Sequence, residues 1–271
     1  MTKESVRTLL PVVKWAGGKR WLSNTLRAKL GSARPRIIEP FVGGGAFFFS
    51  MRPEEAILAD SNSDLINAYT MLRDRLSDVC ECLSTFKNNS EAYYLIRDSN
   101  PICSVERAAR FLYLCRHSFN GIYRVNQNGF FNVPYGHKSH RDVFDRENLA
   151  DASAALAKAS LHCQDFESTI ELAGPGDFVY ADPPYTVAHN NNGFVKYNEI
   201  MFSYEDQRRL AKAAAAAVLR GARVFVSNAD HHSVRILYPT SHIDVLHRYS
   251  VVGSKAAYRK PVSELLIEVQ P

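Results

Sequence analysis

Asp182-Pro183-Pro184-Tyr185 sets a carboxylate, two residues without a backbone N–H and a phenol in four consecutive positions. The apolar run Phe178-Val179-Tyr180-Ala181 precedes it, with Gly176 before the run and prolines after it. That pattern reads as a buried strand that stops abruptly. A carboxylate at the carboxyl end of such a strand lies where open α/β sheets place their chemistry. The prolines stiffen the backbone and leave carbonyls that can only accept. Acid, acceptor carbonyl and stacking ring together suit a planar, amine-bearing substrate such as a nucleobase. A plain strand-terminating turn would use the same four residue types.

A second constellation is Phe41-Val42-Gly43-Gly44-Gly45, followed 17 positions after Gly43 by Asp60. Glycines between a strand and a helix permit a tight turn and close approach of a ligand. A carboxylate ending the next strand can accept both hydroxyls of a ribose. The spacing is not G-x-G-x-x-G. Nor is Gly18-Lys19 a phosphate loop, because Arg20 follows it where Ser or Thr is required. A nucleoside-bearing ligand without a polyphosphate remains, and S-adenosylmethionine fits. Lys14-Trp15-Ala16-Gly17-Gly18-Lys19 could close over such a ligand; by itself it reads as an N-terminal staple with a core tryptophan and solvated lysines.

The elements that must position these residues follow from hydrophobic periodicity. Strands are expected at 36–41, 56–60, 177–181, 223–227, 243–247 and 262–269, and a buried helix begins at Ala46. Helices are expected at 64–76, 91–98, 104–118 and 203–220, the last opened by a Ser203-x-x-Asp206 capping box and stopped by Gly221. Residues 119–136 read as a hairpin, with Asn128-Gly129 as a type I′ turn and Asn120-Gly121 as a second turn. The organisation is an α/β sheet interrupted by a mostly helical insert. Residues 1–62 and 145–271 are assigned to the catalytic domain and 63–144 to target recognition.

Charge and composition narrow the partner. The net charge is +5. From Phe111 to Arg141 there are four Arg or Lys, three His, three Tyr and four Asn, without one Asp or Glu. Such a mixture suits phosphates and bases, although a cationic loop without a ligand has the same composition. No apolar stretch is long enough to span a bilayer and no signal peptide is evident. Five cysteines without C-x-x-C pairing suggest a reduced, cytoplasmic protein. His137-x-x-His140, His231-His232 and Cys80-x-Cys82 lack the partner spacing of a zinc site, so no metal is expected.

Together the chain resembles the Dam-type DNA adenine-N6 methyltransferases. The resemblance rests on KWAGGK at 14–19, EPFVGGG at 39–45, ADSNSDLINAY at 59–69 and HSFNGIYRVNQNGFFNVPYG at 117–136. It continues through DPPY at 182–185, SNAD at 227–230 and RKPVSELL at 259–266. It implies a Rossmann-like S-adenosylmethionine-dependent methyltransferase fold. The motif order is permuted: cofactor loop, recognition domain, then catalytic strand. By resemblance, Trp15, Lys19, Asp60 and Asp182 line the cofactor site, Phe41 and Gly43 form its loop, and Asp165-Phe166 meet the cofactor adenine. Asp182, Pro183, Pro184 and Tyr185 hold the target base. Asn120, Ile122, Arg124, Asn126 and Pro134 face duplex DNA, Phe119 wedges into it, and Lys14 and Arg124 read guanines in a GATC-like site. His117-Ser118 and His137-Lys138-Ser139-His140 depart from the family pattern. The rival readings are cytosine-N4 methylation and a non-catalytic DNA-binding scaffold. No obligatory protein partner is expected, and the chain is read as a monomer.

Overall fold

The apolar run at 178–181, with glycine before it and prolines after it, becomes a strand of the computed structural model. It describes residues 9–15, 17–126, 128–137, 140, 142–185, 202–249 and 261–271. Ala16, Gln127, Lys138, Ser139, Arg141 and Arg259-Lys260, all within segments used above, lie outside the described residues. Seven strands form a mixed sheet: β1 (Ile37–Glu39), β2 (Ala56–Asp60), β3 (Ala159–Cys163), β4 (Phe178–Ala181), β5 (Arg223–Ala229), β6 (His242–Tyr249) and β7 (Pro261–Glu268). Their order is β3-β2-β1-β4-β5-β7-β6. The pairs β1–β4, β4–β5 and β2–β3 are parallel, whereas β7 runs antiparallel to both β5 and β6.

Contacts divide the chain into two compact units. One comprises Met1–Arg34 and Val42–Cys163, the other Pro35–Phe41 and Gln164–Pro271. The first holds α1 (Ser23–Leu30), α2 (Ala46–Met51), α3 (Ser63–Asp74), α4 (Leu76–Ser84), α5 (Ser90–Asp98), α6 (Ser104–His117) and α7 (Arg146–Leu156), with β2 and β3. Helix α3 starts where it does because the Asn62 carboxamide oxygen accepts from the backbone N–H groups of Asp64 and Leu65, both at 3.1 Å. Its buried stripe, Leu65, Tyr69 and Leu72, packs in one core with Leu58 of β2 and with Tyr93 and Tyr113 of α5 and α6. Strand β3 is absent from the sequence expectation. Its residues alternate, only Ala159 is buried, and it lies at the sheet edge, so it lacks a continuous apolar run.

The second unit holds α8 (Phe166–Glu171), α9 (Tyr204–Leu219) and the short α10 (His232–Arg235), with β1 and β4 to β7. The expected capping box is formed: Ser203 Oγ accepts from Asp206 N–H at 3.2 Å, and Ser203 N–H donates to the Asp206 carboxylate at 2.8 Å. Phe178 and Phe225 stack at 4.9 Å between β4 and β5, both fully buried. Each such side chain contributes roughly 1.5–3 kcal/mol of transfer free energy. This packing fixes the β4–β5 register on which the site depends.

Candidate active site

Asp182 follows Ala181 at the carboxyl end of β4. The register pairs Ala181 with Val226, so the next residue on β5, Ser227, comes alongside Asp182. Ser227 Oγ donates to Asp182 Oδ1 at 2.6 Å. Tyr180, two residues earlier on the same strand face, has its hydroxyl 3.1 Å from Ser227 Oγ. The single serine proton goes to Asp182, so Tyr180 is the donor in that contact. Burial first, and the Asp182 charge second, push the Tyr180 phenol well above its ordinary range, which keeps it protonated. Pro183 is buried and Pro184 half-buried. Tyr185 Oη donates to Glu264 Oε2 at 2.9 Å. Glu264 is buried on β7, opposite Ala229. Burial, then Asp182 and Glu264, raise the Tyr185 phenol as well. The sequence reading assigned no role to Ser227, Tyr180 or Glu264. Each lies inside a strand, and only the β4–β5–β7 register brings them to the Asp182-Pro183-Pro184-Tyr185 segment.

The same unit gathers Phe41, Phe166 and Phe202. Phe41 stacks on Phe166 at 5.2 Å, and both rings contact Phe202 at 5.5 Å. Asp165 caps α8 by accepting from Glu167 N–H at 2.9 Å. Arg209 Nη2 reaches Asp165 and Glu167 at 2.8 Å each, and the guanidinium lies 4.8 Å from the Phe166 ring centre. The expected Asp165-Phe166 pair is therefore formed beside Phe41, with Arg209 holding its acid.

The glycine loop lies in the other unit. Gly43 N–H donates to Asp60 Oδ2 at 3.0 Å and Asn62 N–H to Asp60 Oδ1 at 2.9 Å, fixing the carboxylate at the end of β2. Burial raises the Asp60 carboxyl above its usual range, while N–H bonds from Asn62, Gly43 and Ser61 pull it back. Gly43 has φ +46°, and a Cβ built on it would lie 2.7 Å from Trp15 Cδ1. Trp15 stacks on Tyr123 at 5.2 Å, and Tyr69 Oη donates to Gly43 O at 2.7 Å. A backbone cradle without side chains, walled by an indole and ended by a fixed acid, fits the nucleoside part of S-adenosylmethionine. Lys19 is buried, with Nζ donating to Gly17 O at 2.8 Å, which corrects the picture of a solvated lysine.

The hairpin forms with its turns reassigned. Asn120 has φ 55° and Gly121 φ 65°, and Ile122 N–H donates to Phe119 O at 3.3 Å. These are the angles of a type I′ turn, so that turn lies at Asn120-Gly121. At the expected Asn128-Gly129 only Gly129 is left-handed. Gly129 N–H donates to Asn126 O at 2.9 Å and Asn126 N–H to Phe130 O at 2.8 Å, which makes a three-residue loop. Asn126 Oδ1 accepts from the N–H groups of Asn128 and Phe130, both at 3.0 Å, and so shapes the loop. Among the described residues, pairing here is limited to isolated bridges, Val125 with Phe131 and Ser118 with Tyr135. Lys14 Nζ donates to Asn120 O. Ser118 Oγ donates to Ile122 O at 3.1 Å, and buried His117 contacts Val143 O through Nε2 at 3.0 Å, so these two departures from the family pattern hold the turn in place. Phe119 is 54% exposed, and Phe130 at the loop is 62% exposed. Arg124 and Pro134 are exposed and Ile122 half-buried; Arg124 Nε donates to Asn132 Oδ1 at 2.8 Å.

Among the described residues, no group of three or more His, Cys, Asp or Glu could hold a metal ion, and no helix is long and apolar enough to cross a membrane. Within the first unit Lys14 meets Asn120, and Trp15 meets Gly43, which is bonded to Asp60; within the second the expected residues form the β4 strand end and the Phe41–Phe166 patch.

The α/β sheet, the glycine loop ended by an acid and the strand-end Asp-Pro-Pro-Tyr define an S-adenosylmethionine-dependent methyltransferase. The chain belongs to the D12 class N6 adenine-specific DNA methyltransferase family, which it matches over residues 15–251. It is 36% identical to a type II methyltransferase of Lactococcus lactis subsp. cremoris over 269 residues, covering 96% of this chain and 95% of that protein. It is 36% identical to a DNA adenine methylase of Serratia marcescens, covering 94% and 96% of the two chains. A DNA adenine methylase of Escherichia coli is 32% identical, covering 96% and 95%. The protein thus methylates adenine in DNA, with S-adenosylmethionine as its methyl donor.

Proposed function

We propose that the protein methylates the adenine of a short, GATC-like duplex site by direct attack of the flipped base amine. The observation that carries this reading is the Asp182 carboxylate, fixed by Ser227 at the head of Pro183-Pro184-Tyr185. The adenine amine is a poor nucleophile because its lone pair is delocalised into the ring. The Asp182 carboxylate and the Pro183 carbonyl accept its two N–H bonds, orient the nitrogen and favour its pyramidalisation. Positive charge grows on the nitrogen during transfer, so these acceptors act most strongly in the transition state. Tyr185 stacks on the base, which must leave the helix because its amine is unreachable inside the duplex. Bound S-adenosylmethionine supplies an electrophilic methyl group and departs as S-adenosyl-L-homocysteine. Gly43, Asp60, Trp15, Lys19, Phe41, Asp165 and Phe166 are the residues proposed to hold it. No cysteine nucleophile is required.

Residues 63–144 act as the recognition domain. Arg124 pairs with a guanine through O6 and N7, Lys14 reads a second guanine, and Ile122 and Pro134 contact neighbouring bases. Phe119 fills the gap left by the flipped base, and Asn120 and Asn126 contact the DNA. The protein works as a monomer in the cytoplasm, without an obligatory protein partner. Sequencing of methylated positions in DNA treated with the enzyme tests the site. Methyl groups on adenines preceded by guanine are expected; marks lacking that guanine refute the GATC-like site. A nucleoside digest yielding N4-methylcytosine would overturn the adenine assignment itself.

A further inference from the structure

The Asp182 carboxylate has two neighbours that the reaction does not itself require. Ser227 Oγ donates to Asp182 Oδ1 at 2.6 Å, and Tyr180 Oη lies 3.1 Å from Ser227 Oγ. Ser227 is 1% and Tyr180 2% exposed. A buried hydroxyl keeps a partner because desolvation without one is costly. Tyr180 could have been phenylalanine and Ser227 alanine with less polar burial, yet the two hydroxyls form a chain that ends on the acid. The direction of the chain is fixed. Asp182 only accepts when ionised, so Ser227 donates to it, and Tyr180 donates to Ser227. Tyr180 keeps its proton because burial raises its phenol.

We propose that Ser227 and Tyr180 are positioning residues for methyl transfer: the chain Tyr180 to Ser227 to Asp182 sets the carboxylate rotamer and favours its charged form. This rests on the reading of Asp182 as the amine acceptor. An unrestrained carboxylate turns about its Cβ–Cγ bond, a broad torsion. Holding one oxygen leaves the carboxylate plane defined when the amine arrives, and such preorganisation is where electrostatic catalysis gains its rate. A donor to the ionised form also lowers the pH at which the acid is lost. Other titratable groups face this cluster: Glu39 of β1, Glu264 of β7 and the Tyr185 phenol, each coupled electrostatically to Tyr180 or to Tyr185. All three remain in place when the serine hydroxyl is removed.

The test compares S227A, Y180F, the double variant and D182A in the full-length protein. Single-turnover rates are measured across pH, together with calorimetric binding of S-adenosylmethionine. S227A is expected to lower the transfer rate roughly ten- to hundredfold, the value of one hydrogen bond to a charged group. Its acid limb should move to higher pH, with cofactor affinity within about twofold of wild type, a change too small to count as a lost contact. Y180F should give a smaller loss, and none further in the S227A background, because its effect passes through Ser227. A general packing defect would lower stability without moving the acid limb. Wild-type rate and wild-type acid limb in S227A, with D182A inactive, overturn the positioning role alone. Transfer by D182A near the wild-type rate overturns the amine-acceptor reading beneath it. Should S227A fail to fold, an unchanged pH profile in Y180F is the overturning result.

Discussion

Replacing Gly43 by alanine tests whether the glycine loop is built around Trp15. The added methyl meets two obstacles. Gly43 has φ +46°, where an L-residue costs about 1–2 kcal/mol. Its Cβ would also fall 2.7 Å from Trp15 Cδ1 and 3.0 Å from Trp15 Nε1, far inside contact distance. The indole cannot simply swing aside, because it stacks on Tyr123 at 5.2 Å and meets Phe111 at 6.4 Å. Nor can the loop retreat easily, since Gly43 is tied through its N–H to Asp60 and through its carbonyl to Tyr69. Overpacking of this kind costs roughly 1–3 kcal/mol. Gly129→Ala is the control. Gly129 has φ +79° in the same unit, but nothing lies within 4 Å of its built Cβ. Both variants share the backbone strain and the loss of unfolded-state entropy, so their difference isolates the Trp15 contact. Urea unfolding should place G43A about 1–3 kcal/mol below G129A, within the usual cost of overpacking. Calorimetry should show S-adenosylmethionine binding weakened at least about tenfold in G43A, the equivalent of about 1.4 kcal/mol, with G129A unaffected. If the two variants unfold together and bind the cofactor equally, Trp15 does not wall the loop.

Two further outcomes follow from the same geometry. Arg124→Ala should reduce discrimination against a substituted guanine by about 1–3 kcal/mol, read as kcat/KM on matched and mismatched duplexes; equal loss on both would make Arg124 a phosphate contact. Asp60 has its carboxyl raised above the usual 3.8 by burial, so the stability it contributes is complete below that value and is lost as pH rises through the raised one. The ionised form is the one that accepts ribose hydroxyls, so cofactor affinity moves the opposite way and weakens as pH falls. Calorimetry in buffers of different ionisation enthalpy should detect proton release on binding at acidic pH, and none would occur if Asp60 were outside the cofactor site.

Local signals were legible in the sequence and long-range ones were not. The Ser203–Asp206 capping box lies within one helical turn, and strand β4 is an apolar run closed by glycine and proline, so both stood out from their residue types. Asn-Gly was read correctly as a turn signal twice, but the dipeptide does not specify loop length. Asn126 lends its side-chain oxygen to a three-residue loop, so the second pair could not adopt the two-residue form. The first pair did, because Ser118 and Lys14 hold the backbone around it. The acid at 182 was visible from its place at a strand end. Its partner at 227 was not, because 45 residues separate the two and only the β4–β5 register brings them together. Edge strand β3 escaped for a related reason: with four of its five residues not buried, it carries no run for a periodicity argument to find.

Lys14 and Trp15 show why the first unit must be read as one object. Adjacent in sequence, each presses on a left-handed glycine that lies far away along the chain. Trp15 covers Gly43 in the glycine loop; Lys14 covers Gly121 in the type I′ turn, where a built Cβ would fall 2.9 Å from Lys14 Cδ. Tyr123, one residue before Arg124, stacks on that same Trp15. The segment is therefore a staple, and it joins the glycine loop to the Asn120-Gly121 turn. A Cβ at Gly43 would meet the Trp15 indole, and one at Gly121 would meet the Lys14 stem and, at 3.2 Å, the Cys115 carbonyl. Close-packed contacts transmit such displacements because they have few soft alternatives. Gly43 and Gly121, far apart along the chain, thus rest on one adjacent pair of residues, Lys14 and Trp15.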